Sequence, residues 1–287
     1  MLNAGDYGLA VQERAELIML SDIAGYVGAD TCGCLLAIRQ DQQEEISLMI
    51  DIGTNGEMVL GNRERLVTCS TAAGPAFEGA KIECGMRGAA GAVDHVKYED
   101  GKWNYTTVGN KPAVGLCGSG LIDLVAGLLD AGMLDENGVL RSGQEKQGVF
   151  ILVPPERGGN ERGVYLTQKD LGEVQLAKAA IAAGIQMLME RLGITEDDIC
   201  SVYIAGAFGN YMDPVSAGKI GLFPATLVKK VKPVGNAAGE GAKIALVNEK
   251  EMLEMDELVR KIEFVELAAS ADFQDHFIDE LGFETGE

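Results

Sequence analysis

The residues of this chain best placed to do chemistry lie in one short run, Leu48-Met49-Ile50-Asp51-Ile52-Gly53-Thr54-Asn55-Gly56-Glu57. An apolar stretch ends in a carboxylate, and a glycine, a hydroxyl, an amide and a second glycine follow. Apolar residues closed by Asn-Gly predict a buried strand entering a hairpin, with positive φ at Asn55 and Gly56 as a type I′ turn requires. Met58-Val59-Leu60-Gly61 is the returning strand, so Asp51 sits at the mouth of a sheet. Gly53 and Gly56 lack side chains, which lets backbone N–H groups approach an anion closely. Thr54 and Asn55 add side-chain donors. The pattern suits a phosphate held by backbone amides, with Asp51 orienting a hydrated Mg²⁺ or a water. The same residues also suit a plain β-hairpin carrying a surface aspartate.

Two later stretches share this grammar. Residues 201–205 read as a strand running into Gly206-Ala207-Phe208-Gly209, and residues 231–234 as a strand running into Gly235-Asn236 and a helix. A third glycine loop, residues 114–120, opens a helix at about 121–131. Such a loop can bind an anion at the helix N-terminus, or Ser119 caps the helix and the glycines allow close packing. Asp30 or Thr31 can cap a helix through residues 32–37.

The elements that must position these residues follow from periodicity. Strands are expected at 46–51, 57–61 and 65–69, and a short amphipathic helical segment at 10–20. A hairpin is expected over 92–98 and 102–108 around Glu99-Asp100-Gly101, then short strands near 149–153 and 163–167. Thr167-Gln168-Lys169-Asp170 resembles a capping box with Asp in place of Glu, and starts the longest helix, which stops at Gly193. Leu176, Ala179, Ala180, Ala183, Met187 and Leu188 line one face of it, small enough to press on a sheet. Strands alternating with helices indicate an α/β fold with a mixed sheet. One open sheet that binds one nucleotide along its strand ends accounts for all three glycine-marked ends.

Composition narrows the function classes. The 287 residues carry a net charge of −20, a field that argues against nucleic acid and anionic membranes as partners. No apolar run approaches the ~20 residues of a membrane span, and the expected location is cytoplasmic. The six cysteines form no C-x-x-C pair, and the histidines are His95 and His276. Zinc or an iron–sulfur cluster within this chain is therefore not expected. Neither histidine has the context of a hydrolase triad.

The strand-end stretches together resemble the actin/sugar kinase/Hsp70 superfamily of ATPases. Within it, Ile23-Ala24-Gly25-Tyr26-Val27-Gly28-Ala29-Asp30, the Asp51 run, Cys69-Ser70-Thr71-Ala72-Ala73-Gly74-Pro75-Ala76-Phe77-Glu78-Gly79-Ala80, Leu116-Cys117-Gly118-Ser119-Gly120-Leu121-Ile122-Asp123 and Ala205-Gly206-Ala207-Phe208-Gly209 are similar, in this order, to ATP-dependent reductive activators of corrinoid proteins. The resemblance implies a ribonuclease H-like mixed sheet flanked by helices, with ATP and Mg²⁺ driving reduction of Co(II) to Co(I) in corrinoid proteins of methyltransferase systems. It implies a corrinoid protein and an iron–sulfur electron-donor domain as partners. A small-molecule kinase of the same fold and an ATPase-inactive scaffold are the alternatives.

The resemblance also assigns roles. Gly53, Thr54, Asn55 and Gly56 would face the β/γ-phosphates, and Asp51 the hydrated Mg²⁺. Gly206, Ala207, Phe208 and Gly209 would flank the adenosine, with Gly235 and Asn236 nearby. Asp30 aligns in context with the catalytic base of sugar kinases, and is otherwise a helix cap. Ser70, Thr71 and Arg87 could contact the corrinoid protein or its cofactor. The family's first phosphate loop has no counterpart here. The expected organisation is an N-terminal helical segment, 1–45, and the second ATPase half, 46–287, with an inserted β-rich segment at about 80–165. Such a half is expected to bind ATP weakly by itself. The small face of the 168–192 helix allows a homodimer.

Overall fold

The computed structural model describes residues 2–141 and 148–283. Its centre is a six-stranded mixed sheet in the order Val231–Gly235, Ser201–Ala205, Ser47–Ile52, Gly56–Gly61, Leu66–Thr71, Glu263–Phe264. Ser47–Ile52, Gly56–Gly61 and Leu66–Thr71 form an antiparallel meander. Ser201–Ala205 lies parallel to both Ser47–Ile52 and Val231–Gly235. Leu48, Met49 and Ile50 are all fully buried, because helices cover both faces and the strand can be apolar throughout.

Eight α-helices are described: α1 (Ala29–Ile38), α2 (Gly118–Asp130), α3 (Gln168–Leu192), α4 (Gly206–Gly209), α5 (Pro214–Lys219), α6 (Ala237–Val247), α7 (Glu249–Val259) and α8 (Ala271–Asp279). Ile50, Ile52, Met58 and Cys69 pack with Val174, Ala177 and Ile181 of α3 in one core. Met49, Val59 and Ala205 pack with α1, α6 and α7 in a second core on the opposite face. The start of α3 is the expected capping box: the Asp170 amide donates to Thr167 Oγ1 and the Thr167 amide to Asp170 Oδ2. Gly193 ends the helix at φ +70°. Of the expected packing face, Ala179, Ala180, Ala183 and Leu188 are buried together with Val174, Ala177 and Ile181, while Leu176 is 46% exposed.

Between Thr71 and Gln168 the chain leaves the sheet. It builds a three-stranded sheet in the order Lys102–Thr107, Ala92–Glu99, Gly115–Leu116, a hairpin of Val149–Val153 with Val164–Thr167, and α2. The tight turn falls at Asp100 and Gly101, with φ of +51° and +75°.

Two expectations fail. Residues 10–20 are not helical; Glu16–Leu17 pairs with Leu2–Asn3, and Ala4–Tyr7 is a 3-10 turn. The apolar side chains Leu9, Val11 and Met19 stay exposed, so no buried face exists to stabilise a short helix. Among the described residues of the N-terminal segment, 2–45, helix is therefore found only in α1 and in short 3-10 turns. The Asn55-Gly56 turn is not type I′ either: Ile52 pairs with Gly56, residues 53–55 form the connection, and neither Asn55 nor Gly56 has positive φ. Gly56 answers a need for space. A Cβ there would lie 2.9 Å from Thr71 Oγ1 and 3.1 Å from Ile181 Cγ1.

Candidate functional site

Asp51 is the penultimate residue of its strand. Its neighbours across the sheet are Ala205 on one side and Glu57 on the other. Ala205 in turn pairs with Gly235. The three glycine-marked strand ends thus lie side by side on one edge. Gly206 turns the chain away at φ +87°, where a Cβ would come within 3.0 Å of Asp51 Oδ1; both conformation and space call for glycine. At the third strand end Asn236 caps α6, its Oδ1 accepting from the Gly239 amide at 3.0 Å, and the Asn210 side chain faces Gly235.

Asp51 lies on the α1 face of the sheet, where the Cys34 thiol donates to its Oδ2 at 3.9 Å. Burial pushes the Asp51 carboxyl above its usual range, and the Asp30 charge adds to this. Glu57 is raised too, first by burial; the Ser70 hydroxyl counters this, and Asp30 and Asp51 add to it. Asp30 is not the helix cap, a place held by Gly28. It stands in the first turn of α1, accepts from the Thr31 amide at 2.9 Å, and borders a groove with Leu17, Ala238 and Ala242. Asp30, Asp51 and Glu57 form one acidic corner. Burial holds the Cys34 thiol up at about 12, which keeps it a donor to Asp51 instead of a thiolate.

The opposite face carries a cleft of about 580 Å³ bordered by Ile52, Phe77, Arg87, Gly118, Ser119, Phe208 and Tyr211 among others. Phe77 and Phe208 stack at 5.9 Å with planes 16° apart. The expected site residues therefore divide around the sheet edge: Asp30, Asp51, Gly206, Gly235 and Asn236 gather at the acidic corner, and Phe208 opens on the cleft. Gly209 backs onto Ile204, and Ala207 lies in α4 between them. Thr54 donates its hydroxyl to Glu78 Oε2 at 2.9 Å. The Gly53 amide donates to Asn55 O at 2.9 Å, so it is spent inside the loop. Ser119 does not cap α2; Cys117 holds that position, and the buried Ser119 hydroxyl meets its sulfur at 3.4 Å.

Glu57, Phe77, Glu78 and Asn210 were not legible as site residues. None had a signal in residue order: the expected Asn55-Gly56 turn would have paired Asp51 with Leu60, and it is the connection at residues 53–55 that pairs Asp51 with Glu57 on one face. Among the described residues no cluster of three His, Cys, Asp or Glu side chains could hold a metal. The acidic corner fits a cation only through water and ligand oxygens.

A meander continued by parallel strands, helices on both faces, an insertion after the third strand and three glycine bends on one edge define half of an actin-like ATPase fold. Residues 45–287 match the family described as the C-terminal domain of RACo, the ASKHA domain, and the chain belongs to that family, which implies a nucleotide-binding fold. It is 36% identical over 292 residues to corrinoid activation enzyme RamQ of Eubacterium limosum, covering 96% of this chain and 49% of that protein. It is 29% identical over 303 residues to a Co(II) methylated amine-specific corrinoid protein reductase of Methanosarcina barkeri, covering 97% of this chain and 54% of that protein. A solved reductive activator for a corrinoid, iron-sulfur protein superposes with a TM-score of 0.90 at 38% identity, over 98% of this chain and 46% of that one. The chain spans about half the length of the relatives it matches. No helix of the described residues is long and apolar enough to cross a membrane.

Proposed function

We propose that this chain is the nucleotide-binding second half of an ATPase that powers reductive activation of a corrinoid protein. The observation that carries the reading is the shared edge, where Asp51, Ala205 and Gly235 are neighbours across three strands with Asp30 close enough to perturb Asp51. In this reading residues 46–287 are the ATPase half, with an inserted β-rich segment at about 80–165. Thr54, Asn55 and Gly56 meet the terminal phosphates, and Asp51 holds a water of the hydrated Mg²⁺ that ATP brings. Asp30, at the start of α1, orients or deprotonates the attacking water. Gly206, Ala207, Phe208 and Gly209 flank the nucleoside with Gly235 and Asn236.

ATP binding must favour one of two protein states for hydrolysis to drive an uphill electron transfer. The corrinoid protein and an iron–sulfur electron-donor domain are the partners this requires; Arg87 lies on a loop that could face the former, whereas Ser70 and Thr71, expected on such a loop, end the strand Leu66–Thr71 with Thr71 buried, and a homodimer is compatible with the scheme.

The test is capture of a Co(II) corrinoid protein by the immobilised chain with and without Mg-ATP, alongside phosphate release. ATP is expected to change retention, and Asp51→Asn to abolish that change. Phosphate transferred to a small molecule would assign a kinase instead. Retention indifferent to ATP, with no ATP bound, would leave only a scaffold.

A further inference from the structure

We infer that Glu78 is a latch that a phosphate displaces: it holds the Thr54 hydroxyl until a nucleotide arrives, then turns to Arg87. The inference rests on the nucleotide reading above and adds how occupancy of the hairpin is felt elsewhere. Thr54 Oγ1 donates to Glu78 Oε2 at 2.9 Å. A hydroxyl has one proton to donate, so Thr54 cannot serve a carboxylate and a phosphate oxygen together. Glu78 also lies over the hairpin tip, its Oε1 3.9 Å from where a Cβ on Gly53 would stand. A phosphate seated there meets a negative charge at close range, which disfavours the Glu78 position.

A destination for the displaced carboxylate is at hand. Arg87 is exposed, lines the same cleft as Glu78, and takes part in no salt bridge among the described residues. The loop that carries Glu78 is tied to the hairpin at a second point, the Gly74 amide donating to Thr54 O at 2.8 Å. The residue beside Glu78 is Phe77, one half of the cleft's aromatic wall, and the next, Gly79, packs directly on the backbone of Met86. Release of Glu78 therefore frees one of two ties between hairpin and loop. The phosphate's presence passes to the aromatic wall and to the Met86-Arg87 segment of the insertion.

Calorimetric titration of the chain with Mg-ATP tests this. Glu78→Ala is expected to tighten ATP binding about tenfold, or roughly 1.4 kcal/mol, because the competing acceptor is gone; Glu78→Gln, whose amide oxygen still accepts from Thr54, should tighten it less, through loss of the charge alone. In a Thr54→Val background, Glu78→Ala should gain nothing. Arg87→Ala should weaken ATP about threefold in the wild type and leave the Glu78→Ala variant unchanged, since Arg87 acts only by receiving Glu78. Unchanged or weaker binding by both Glu78 variants overturns the latch while leaving the nucleotide reading intact. An equal loss from Arg87→Ala in both backgrounds overturns the transfer to Arg87 by showing direct nucleotide contact. No ATP binding by the wild type at millimolar concentration overturns the nucleotide reading and the latch together.

Discussion

At the residue scale, the acidic corner stores an electrostatic cost. Asp51 and Glu57 face each other across the hairpin, both with raised carboxyl pKa. The charges that add to burial are carboxylates: Asp30 for both, and Asp51 for Glu57. A folded-state pKa above the unfolded one means that the native state binds more protons, so the contribution to stability falls as pH rises. For Asp51 that loss begins near its ordinary value of 3.8 and grows until the folded-state carboxyl ionises. Asp51→Asn, which cannot ionise, is therefore expected to melt higher than wild type at pH 8. The difference should vanish near pH 3. Thermal unfolding of both proteins across that range checks it; a variant less stable than wild type at pH 8 contradicts the sign. Asp51 would then be kept for its chemistry at the expense of stability, as buried acids at ligand sites often are.

At the element scale, α1 and α6 cross where glycine meets glycine. A Cβ on Gly241 would overlap the Gly33 carbonyl oxygen, and one on Gly33 would stand 2.7 Å from Ala238 O. The helices that carry Asp30 and follow Asn236 thus touch backbone to backbone, which fixes both site residues relative to the sheet. Gly241→Ala has only backbone to push against. It is expected to cost about 3 kcal/mol, as overpacking does, or a drop of roughly 5 °C in Tm. Gly25→Ala, with nothing within 4 Å of the added methyl, should leave Tm unchanged. Differential scanning calorimetry of the two variants separates them. Equal melting would show that the crossing relaxes freely.

At the scale of the whole molecule, charge decides how an anion approaches. The chain carries −20, and the acidic corner adds a local field of the same sign, so a triphosphate is repelled on the way in. Raising KCl from about 20 to about 200 mM shortens the Debye length from roughly 20 to roughly 7 Å. Mg-ATP affinity is therefore expected to hold or rise with salt, opposite to the behaviour of a basic phosphate site. Fluorescence titration at the two ionic strengths reads the sign, and a tenfold loss at high salt would place an undetected cation at the phosphates. The relatives, about twice as long, offer further surface that could change this field.

The amino-acid sequence by itself determined the local elements. The Asp51 strand, its returning partner, the Asp100-Gly101 turn and the Thr167 capping box all depend on contacts within a few residues, and such contacts are written directly in residue order. Family motifs extended this to the three glycine bends. Only the tertiary structure decided which faces those bends present. It showed that Gly56 serves space and not turn geometry, because the pressing atoms belong to Thr71 and Ile181, and that Phe208 turns away from Asp51 across the sheet. It brought Glu78 to Thr54 and left residues 10–20 without a helix, because Val11, Ile18 and Met19 find no surface to cover them. Each of these outcomes is set by atoms distant in the chain, and neither spacing nor periodicity encodes which distant atoms will meet.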